Sequence, residues 1–345
     1  MLNILLLTDK KAGHETTSKG FLEILQKHYI LDINTIAVKL TLSPLRPFLK
    51  YIINNFPNMP HWLIESFLQI FYKIKVDQLL RPDMVVSAGG NTSFANALLA
   101  KYFNCENIYI SSLRGLNPNN FTLIYSIVDN NISNEIVLET APASIDIKQE
   151  AIQNLKLKYG IDESVNVWSL LIGGDSNEYK YTLKEYKNLV ESVIVLAKKH
   201  GVKLLITTSR RTPKDIEIEI QKLLKDERIV LKSVLYNQKP EKLMGFFISS
   251  SSIVFCTEDS SSMITEVVQS CKPLYTLYPK KKVYNEKYDA FINNMLNLQY
   301  IHSIPISGIS KISTKEHFKT FNNSTEFRIL ESIIPVIETI KMEKQ

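Results

Sequence analysis

The amino-acid sequence predicts an α/β protein with two domains, each built around a parallel β-sheet. Short apolar runs suited to buried strands alternate with segments of helical periodicity along both halves of the chain. With 345 residues and a mass of 39.6 kDa, the chain is long for a single hydrophobic core. Polar and glycine-containing stretches follow several of the predicted strands, where the ligands of α/β proteins bind.

The first half of the chain alternates strand and helix from its start. Its predicted elements are strands at 2–7, 30–38, 84–88 and 107–110 and helices around 21–25, at 62–80 and at 92–103. A region punctuated by four prolines precedes the helix at 62–80. This alternation is typical of a parallel sheet covered by helices.

The second half repeats the alternation. Its predicted elements are strands at 167–172, 202–208 and 253–256 and helices at 183–197, from 213, at 264–271 and at 327–340. One helix carries an apolar stripe at i, i+3, i+4 and i+7, formed by Ile264, Val267, Val268 and Cys271. Pro335 lies inside the closing helix and is expected to kink or divide it.

The boundary between the domains is predicted where the regular pattern lapses, at 139–150. The sequence ETAPASIDIKQE contains a proline and several small residues, a composition typical of a linker. We therefore predict a first domain at 1–150 and a second that begins at 151.

Composition excludes several classes of protein. The formal net charge of +6 suits anionic partners such as nucleotides or a phospholipid surface, but no basic tract resembles an arm that binds nucleic acid. Three scattered cysteines are too few for a disulfide framework or a zinc site, so we expect a reducing cytoplasm. No apolar window reaches the roughly 18 to 20 residues of a membrane span, and the apolar start lacks the features of a signal peptide.

The stretch at 253–279 carries the clearest functional signal, because a buried strand leads into a polar helix start. Asp259, Ser260 and Ser262 supply carboxylate and hydroxyl groups there, and the hydroxyls and free N–H groups of the helix start are predicted to hold phosphate. Glu266 is predicted to accept hydrogen bonds from a vicinal diol such as a ribose. The alternative is that Asp259 caps the helix and Glu266 is simply solvated.

Glycine and arginine residues mark other loops that follow strands. The Gly-Gly pairs at 89–90 and 173–174, and Gly13, permit close backbone approach to a ligand. Arg210 and Arg211 follow a further strand, and their guanidinium groups match a diphosphate. The alternative for the arginines is a solvated pair or a carboxylate partner.

His14 lies in the loop after the first strand and is the candidate general base for an acceptor hydroxyl. Such a role requires a carboxylate to orient the imidazole, and Asp9 and Glu15 are the neighbours that offer one. The alternative is a structural or simply exposed histidine.

The segment at 45–76 interleaves basic and aromatic residues. Its basic members are Arg46, Lys50, Lys73 and Lys75, and its aromatic members include Phe48, Tyr51, Phe56, Trp62, Phe67, Phe71 and Tyr72. Such a stretch can lie on an anionic membrane surface. Core packing explains the same apolar residues, so both interpretations stay open.

Several of these loops together resemble one family, the bacterial glycosyltransferases grouped with plant mitochondrial-fission (elongate-mitochondria) proteins. The matching segments are TDKKAGHE at 8–15, RPDMVVSAGGNT at 81–92, VLETAPASID at 137–146, LLIGGDSNEYKYT at 170–182, ITTSRRTP at 206–213 and TEDSSSMITEVVQSCKPLYTLYP at 257–279. They occur in order over nearly the whole chain.

The resemblance implies the GT-B fold: two Rossmann-like lobes with parallel sheets and an interlobe cleft. The lobe at 151–324 would bind a nucleotide-sugar donor, while the helix at 325–345 would pack back on the acceptor lobe at 1–150. Similarity to GT-B enzymes assigns to the donor diphosphate the residues Gly173, Gly174, Asp175, Ser176, Ser209 and Arg210. Glu266 would face the ribose, and Glu258 would complete the Glu-x7-Glu pattern of many retaining enzymes.

The resulting expectation is a glycosyltransferase that moves a sugar from a nucleotide donor to an acceptor in cell-envelope polysaccharide or lipooligosaccharide synthesis. His14, Asp9 and Glu258 are the candidate catalytic residues. Those expected on the acceptor side are Gly13, Gly89, Gly90 and Asn91. Neither a metal nor a cofactor is expected, since the nucleotide sugar is a co-substrate, and the expected location is the cytoplasm, in peripheral contact with the anionic inner membrane face. The rivals are a nucleotide-sugar epimerase and a noncatalytic recruitment protein.

Overall fold

The computed structural model of the chain describes residues 1–144 and 149–344 and divides into two compact units. Unit 1 contains Met1–Ser144 and the closing segment Asn323–Gln345, and unit 2 contains Ile145–Asn322. Of the predicted linker at 139–150, residues 145–148 lie outside the described part of the chain.

The strands and helices alternate in both units. The strands are β1 (Leu2–Thr8), β2 (Leu31–Ala37), β3 (Met84–Ala88), β4 (Glu106–Ile110), β5 (Leu123–Ser126), β6 (Glu135–Val137), β7 (Val167–Ile172), β8 (Tyr179–Lys180), β9 (Lys203–Thr208), β10 (Val230–Val234), β11 (Ile253–Thr257), β12 (Leu274–Tyr278), β13 (Lys281–Lys282) and β14 (Ile301–Pro305). The helices are α1 (Ala12–Gln26), α2 (Arg46–Asn55), α3 (His61–Tyr72), α4 (Thr92–Phe103), α5 (Gln149–Lys158), α6 (Leu183–His200), α7 (Lys214–Leu224), α8 (Met244–Ser250), α9 (Ser261–Gln269), α10 (Glu286–Asn297) and α11 (Ser324–Glu343).

Each unit contains a sheet of six parallel strands, which confirms the predicted fold class. The first sheet has the order β2-β1-β3-β4-β5-β6 and the second has the order β10-β9-β7-β11-β12-β14. Strand order reverses between β1 and β3 in unit 1 and between β7 and β11 in unit 2. Loops at such a switch point form the crevice in which α/β proteins bind ligands.

Two helices in the proline-rich region differ from the sequence expectation. The predicted helix at 62–80 is α3, which ends at Tyr72 because Lys73 adopts the left-handed conformation and closes the helix with hydrogen bonds to the preceding turn. The region before it contains α2, which the prolines did not indicate. Pro47 lies in the first turn of α2, where a missing N–H costs nothing.

The apolar stripe predicted for α9 is correct for its first three members and wrong for the fourth. Ile264, Val267 and Val268 are buried, but α9 ends at Gln269. Cys271 lies beyond the helix with a positive φ of 56°, so it does not continue the stripe.

The closing helix α11 is one continuous helix, so the prediction that Pro335 divides it is wrong. Four isoleucines that recur along one face are buried in the core of unit 1, on both sides of the proline: Ile329, Ile333, Ile337 and Ile340. Their burial outweighs the one hydrogen bond that a proline removes. In the described part of the chain, no helix combines the length and apolar character needed to cross a bilayer.

The packing of α11 predicts a contrast between two adjacent residues. Ile333→Ala should lower the free energy of unfolding of unit 1 by about 2–5 kcal/mol, because Ile333 is fully buried. Ile334→Ala, at a position that is partly exposed, should cost less than about 1 kcal/mol. Urea denaturation followed by circular dichroism measures both, and equal losses would show that α11 does not pack through this face.

Candidate functional site

Polar residues of unit 2 meet at the switch point of the second sheet. Gly173 and Gly174 directly follow β7, and Glu258 and Asp259 directly follow the neighbouring strand β11. The backbone N–H of Gly173 donates a 2.6 Å hydrogen bond to the hydroxyl of Thr257, which ties the two strand ends together. The sequence segments that carried the functional signal are therefore adjacent in space.

Asp259 is the centre of this cluster. Its buried carboxylate accepts hydrogen bonds from the Gly174 N–H at 3.0 Å, the Tyr181 hydroxyl at 3.1 Å and Arg211 Nη2 at 2.6 Å. Burial raises the pKa of Asp259 above its ordinary value, although the Arg211 charge opposes that shift. The alternative in which Asp259 caps α9 is wrong, because Ser260 occupies the N-cap position.

The two glycines after β7 make room for this ion pair. A Cβ atom on Gly173 would overlap the Asp259 carboxylate, and one on Gly174 would overlap the backbone of Arg211. Any larger residue would push the loops apart. The sequence analysis explained these glycines by close approach of the backbone to a ligand. The structure adds a second reason, because the protein's own Asp259 side chain and Arg211 backbone lie where a Cβ atom would be.

The two arginines after β9 have different environments. Arg211 is paired with Asp259 and keeps 36% of its side chain exposed. Arg210 is exposed and has no hydrogen bond or ion pair with another residue in the described part of the chain. The carboxylate-partner alternative is therefore correct for Arg211, and Arg210 is the guanidinium that remains available to a ligand.

The loop that carries these arginines is held rigidly. The Thr212 hydroxyl bonds to the Gly173 carbonyl, and it also accepts a hydrogen bond from the Ser209 N–H at 3.0 Å. From the other side, Asn237 Nδ2 donates to the Thr212 carbonyl at 2.7 Å. These bonds fix the backbone from which Arg210 projects.

Glu258 is buried, with 1% of its side chain exposed, and its carboxylate is saturated with donors. It accepts hydrogen bonds from the hydroxyls of Tyr179 at 2.8 Å, Thr276 at 2.9 Å and Ser303, and from Lys282 Nζ at 3.3 Å. These contacts join β11 to β12, β14 and the antiparallel β8–β13 ribbon. They favour a structural role over the predicted catalytic one, which stays a prediction.

The start of α9 follows directly on Glu258 and Asp259. Its N-cap Ser260 makes no side-chain capping hydrogen bond within the described residues, so Ser260 does not satisfy the free N–H groups that the first turn of a helix carries. Ser262 and Glu266 lie further along α9 and are half-buried, and Glu266 interacts with other residues of the chain. The ribose role of Glu266 stays a prediction.

The remaining residues of the GGDS loop bond locally. Asp175 is exposed, accepts a 3.1 Å hydrogen bond from the Tyr181 N–H and lies 3.6 Å from Lys180 Nζ. The Ser176 hydroxyl accepts a 3.1 Å hydrogen bond from the Tyr179 N–H. Both side chains therefore stabilise the turn that leads from β7 into β8.

A second polar cluster occupies the switch point of unit 1. His14 Nδ1 lies 2.9 and 3.0 Å from the two carboxylate oxygens of Asp9, so Asp9 is the carboxylate that orients the imidazole. Glu15 instead accepts a hydrogen bond from the Thr8 hydroxyl at 3.0 Å. Burial raises the pKa of Asp9, but the hydrogen bond and charge of His14, together with hydrogen bonds from Lys11, outweigh burial and lower the pKa of Asp9 below its ordinary value.

The glycine pair of unit 1 accommodates this dyad. Gly89 and Gly90 both have positive φ, and a Cβ atom on Gly89 would overlap the His14 ring. Gly13 lies in the first turn of α1, and Asn91 is the N-cap of α4. The Oδ1 atom of Asn91 is buried and has no hydrogen-bond partner among the residues that the structure describes.

Two further kinds of site were considered, a metal site and a surface pocket. Within residues 1–144 and 149–344, no group of three or more His, Cys, Asp or Glu side chains is arranged to hold a metal ion. A pocket of about 290 Å³ opens at the opposite edge of the second sheet and is lined in part by Trp168, His200 and Phe318. It lies at the strand starts, the end of a parallel sheet where nucleotides do not normally bind.

Sequence reasoning missed the residues that hold the carboxylates of unit 2. Tyr179 and Tyr181 donate to Glu258 and Asp259, respectively. Their two-residue spacing after the GGDS turn, which places both rings on one side of an extended segment, was an available signal. Lys282 had no such signal, because its contact depends on the pairing of β13 with β8.

Comparison with known proteins gives a family and a fold. The family model described as mitochondrial fission ELM1 matches residues 12–325. Similar solved structures include UDP-GlcNAc 2-epimerase from Neisseria meningitidis bound to UDP-GlcNAc, which is 17% identical with a TM-score of 0.56 and covers 98% of this chain and 99% of that chain.

Two further structures resemble the chain over most of its length. UDP-GlcNAc 2-epimerase from Methanocaldococcus jannaschii is 15% identical with a TM-score of 0.56, covering 96% of this chain and 98% of that chain. UGT89C1 of Arabidopsis thaliana in complex with UDP is 10% identical with a TM-score of 0.52, and the match covers 99% of this chain and 93% of that chain. No curated protein matches the sequence. At these identities the likeness shows the fold, which is GT-B.

The two arginines predict a contrast in stability. Arg211→Ala should lower the free energy of unfolding of unit 2 by about 1–3 kcal/mol, because it leaves the buried Asp259 carboxylate without its cation. The matched change Arg210→Ala should cost less than about 0.5 kcal/mol. Urea denaturation measures both, and an equal cost in the two variants would refute the different roles.

The Asp9–His14 contact predicts a dependence on pH. Because the pKa of Asp9 is lowered in the folded chain, its carboxylate stabilises the fold above its unfolded pKa of about 3.9. That stabilisation is lost as the pH falls through the lowered pKa that Asp9 has in the folded chain. The stability difference between wild type and Asp9→Asn should therefore shrink below about pH 4, and a difference that grows in acid would contradict it.

Proposed function

The chain belongs to the mitochondrial fission ELM1 family, and we propose that it transfers a sugar from a nucleotide-sugar donor to a hydroxyl group of a cell-envelope polysaccharide or lipooligosaccharide. The observation that carries the proposal is the edge of the second sheet, where the Gly173-Gly174 turn lies against the loop that carries Arg210 and Arg211 and hydrogen-bonds to Asp259, just before the start of α9. Among the described residues, Arg210 has no partner and Ser260 makes no side-chain cap of α9. The GT-B fold accommodates such a reaction.

Unit 2 holds the donor in this scheme. The first-turn N–H groups of α9 and the Arg210 guanidinium bind the diphosphate, with the hydroxyls of Ser260 and Ser262 beside them. Glu266 accepts hydrogen bonds from the ribose hydroxyls. Structures of similar fold were solved with UDP and with UDP-GlcNAc, which supports this class of ligand.

Unit 1 activates the acceptor in this scheme. His14 Nε2 takes the proton of the attacking hydroxyl, while Asp9 holds Nδ1 and stabilises the imidazolium that forms. The acceptor oxygen bonds to the anomeric carbon as the bond from that carbon to the diphosphate breaks. The departing nucleoside diphosphate keeps the electron pair, and Arg210 with the α9 N-terminus stabilises its charge without a metal. We place this reaction at the inner face of the cytoplasmic membrane.

An epimerase is the second candidate, because UDP-GlcNAc 2-epimerases are among the structures of similar fold. Incubating the protein with UDP-, GDP- and CMP-sugars, with and without envelope glycans, separates the two reactions. Transfer requires acceptor and yields a longer glycan. An epimerised sugar formed without acceptor would overturn the transferase, and failure to bind any donor in calorimetry would leave a noncatalytic protein.

Donor affinity should depend on Glu266. Glu266→Ala is expected to weaken donor binding at least about tenfold, since it removes a charged acceptor of two ribose hydrogen bonds. Glu163→Ala, at an exposed position of the same unit, is the matched control and should bind as wild type does. Calorimetry with the donor decides, and unchanged affinity in Glu266→Ala would remove the ribose assignment.

Turnover should depend on His14. His14→Ala is expected to lower kcat by about 10²–10⁴, the usual contribution of a general base, while donor affinity is retained. His28→Ala, at an exposed position in the turn after α1, serves as the control. Release of nucleoside diphosphate in the presence of acceptor measures the rate. Wild-type kcat in His14→Ala would rule this residue out as the base.

A further inference from the structure

Helices α2 and α3 of unit 1 and the segments beside them carry several exposed apolar side chains. Phe48 and Tyr51 on α2 are 51% and 59% exposed, and Trp62 on α3 is 67% exposed. We call this surface the α2–α3 face and define it by Leu45, Phe48, Tyr51, Phe56, Trp62 and Ile70, all of them exposed. Exposed apolar residues that group together on a surface are typical of interaction sites.

The structure separates the apolar residues of this segment into two groups. Phe71 and Tyr72 belong to the core of unit 1, as core packing predicted. The exposed rings are a different set. Phe48 lies edge-to-face against the half-buried Phe67, with ring centroids 6.5 Å apart, so the exposed surface continues from α2 onto α3.

The helix beneath the exposed rings is fixed in place. Leu49 and Ile53 on its inner side are fully buried. Asn54 Nδ2 donates to the Gly115 carbonyl at 2.9 Å, and Asn54 Oδ1 accepts from the Asn117 N–H at 2.8 Å. The aromatic rings are therefore presented on a folded surface, so docking requires no ordering of the helix.

Basic residues are interspersed with the exposed apolar residues along the chain. The stretch 39–75 has five basic residues and one acidic residue, a net charge of +4: Lys39, Arg46, Lys50, Lys73, Lys75 and Glu65. Arg46, Lys73 and Lys75 are exposed and, in the part of the chain that the structure describes, form no ion pair. The surface thus matches a partner that is both apolar and anionic.

We propose that the α2–α3 face docks on a lipid bilayer that carries anionic phospholipid. Tryptophan and tyrosine side chains favour the membrane interface, and lysines near such a surface each strengthen attraction to anionic headgroups. Protein interfaces are depleted in lysine, whereas four of these five basic residues are lysines. The inference rests on the proposed membrane location of the reaction and names the surface and the lipid that provide it.

Sedimentation with vesicles tests the proposal in the full-length protein. Wild type should bind vesicles of phosphatidylcholine with about one-third phosphatidylglycerol, bind pure phosphatidylcholine vesicles far more weakly, and lose affinity as salt rises. Phe48→Ser/Tyr51→Ser should lose at least about tenfold in affinity, and Arg46→Gln/Lys75→Gln about fivefold per charge. Phe327→Ser, at a residue 68% exposed on α11, should bind as wild type does.

The outcomes separate the alternatives. Wild-type vesicle binding by Phe48→Ser/Tyr51→Ser, or absence of binding by wild type, would overturn the proposal. So would a wild-type dimer in light scattering that this double variant abolishes without any vesicle binding, since the face would then bind protein. Calorimetric donor binding should be unchanged in every surface variant. If the wild-type protein binds no donor in calorimetry, the proposed reaction is refuted, whereas the vesicle result still tests the membrane surface.

Discussion

The buried carboxylate of Asp259 is the constraint on which the candidate donor site depends. An ionised carboxylate inside a protein must be paired and hydrogen-bonded, and this one gathers its partners from three separate loops. Satisfying it brings the Gly173-Gly174 turn, the Arg211 loop and the start of α9 to one point. Arg211 is occupied by that task, which leaves its neighbour Arg210 directed to solvent.

Glycine has the same role in unit 1 as in unit 2. In each sheet a Gly-Gly pair follows a central strand at the switch point, and in each a polar side chain fills the space that a Cβ atom would take: the His14 ring beside Gly89 and the Asp259 carboxylate beside Gly173. The glycines therefore hold pre-set polar groups in position. The two units differ in what they present, an imidazole–carboxylate dyad in unit 1 and, in unit 2, the start of α9, where the N-cap Ser260 makes no side-chain capping bond within the described residues.

The sequence was sufficient for the fold class and for the loops that meet at each switch point, because strand periodicity and the alternation of elements are local signals. It did not separate Arg210 from Arg211, since their difference is an ion pair to a residue 48 positions away. Glu258 shows the same limit. Its role depends on donors from β8, β12, β13 and β14, and only the tertiary pairing of those strands brings them to one carboxylate.

A crystal structure of the protein soaked with UDP and GDP tests the central claim most directly. We expect density for the diphosphate against Arg210 and the first turn of α9, with the Arg211–Asp259 pair intact. A diphosphate that takes the place of the Asp259 carboxylate on Arg211, or that binds away from the carboxyl ends of β7 and β11, would contradict it.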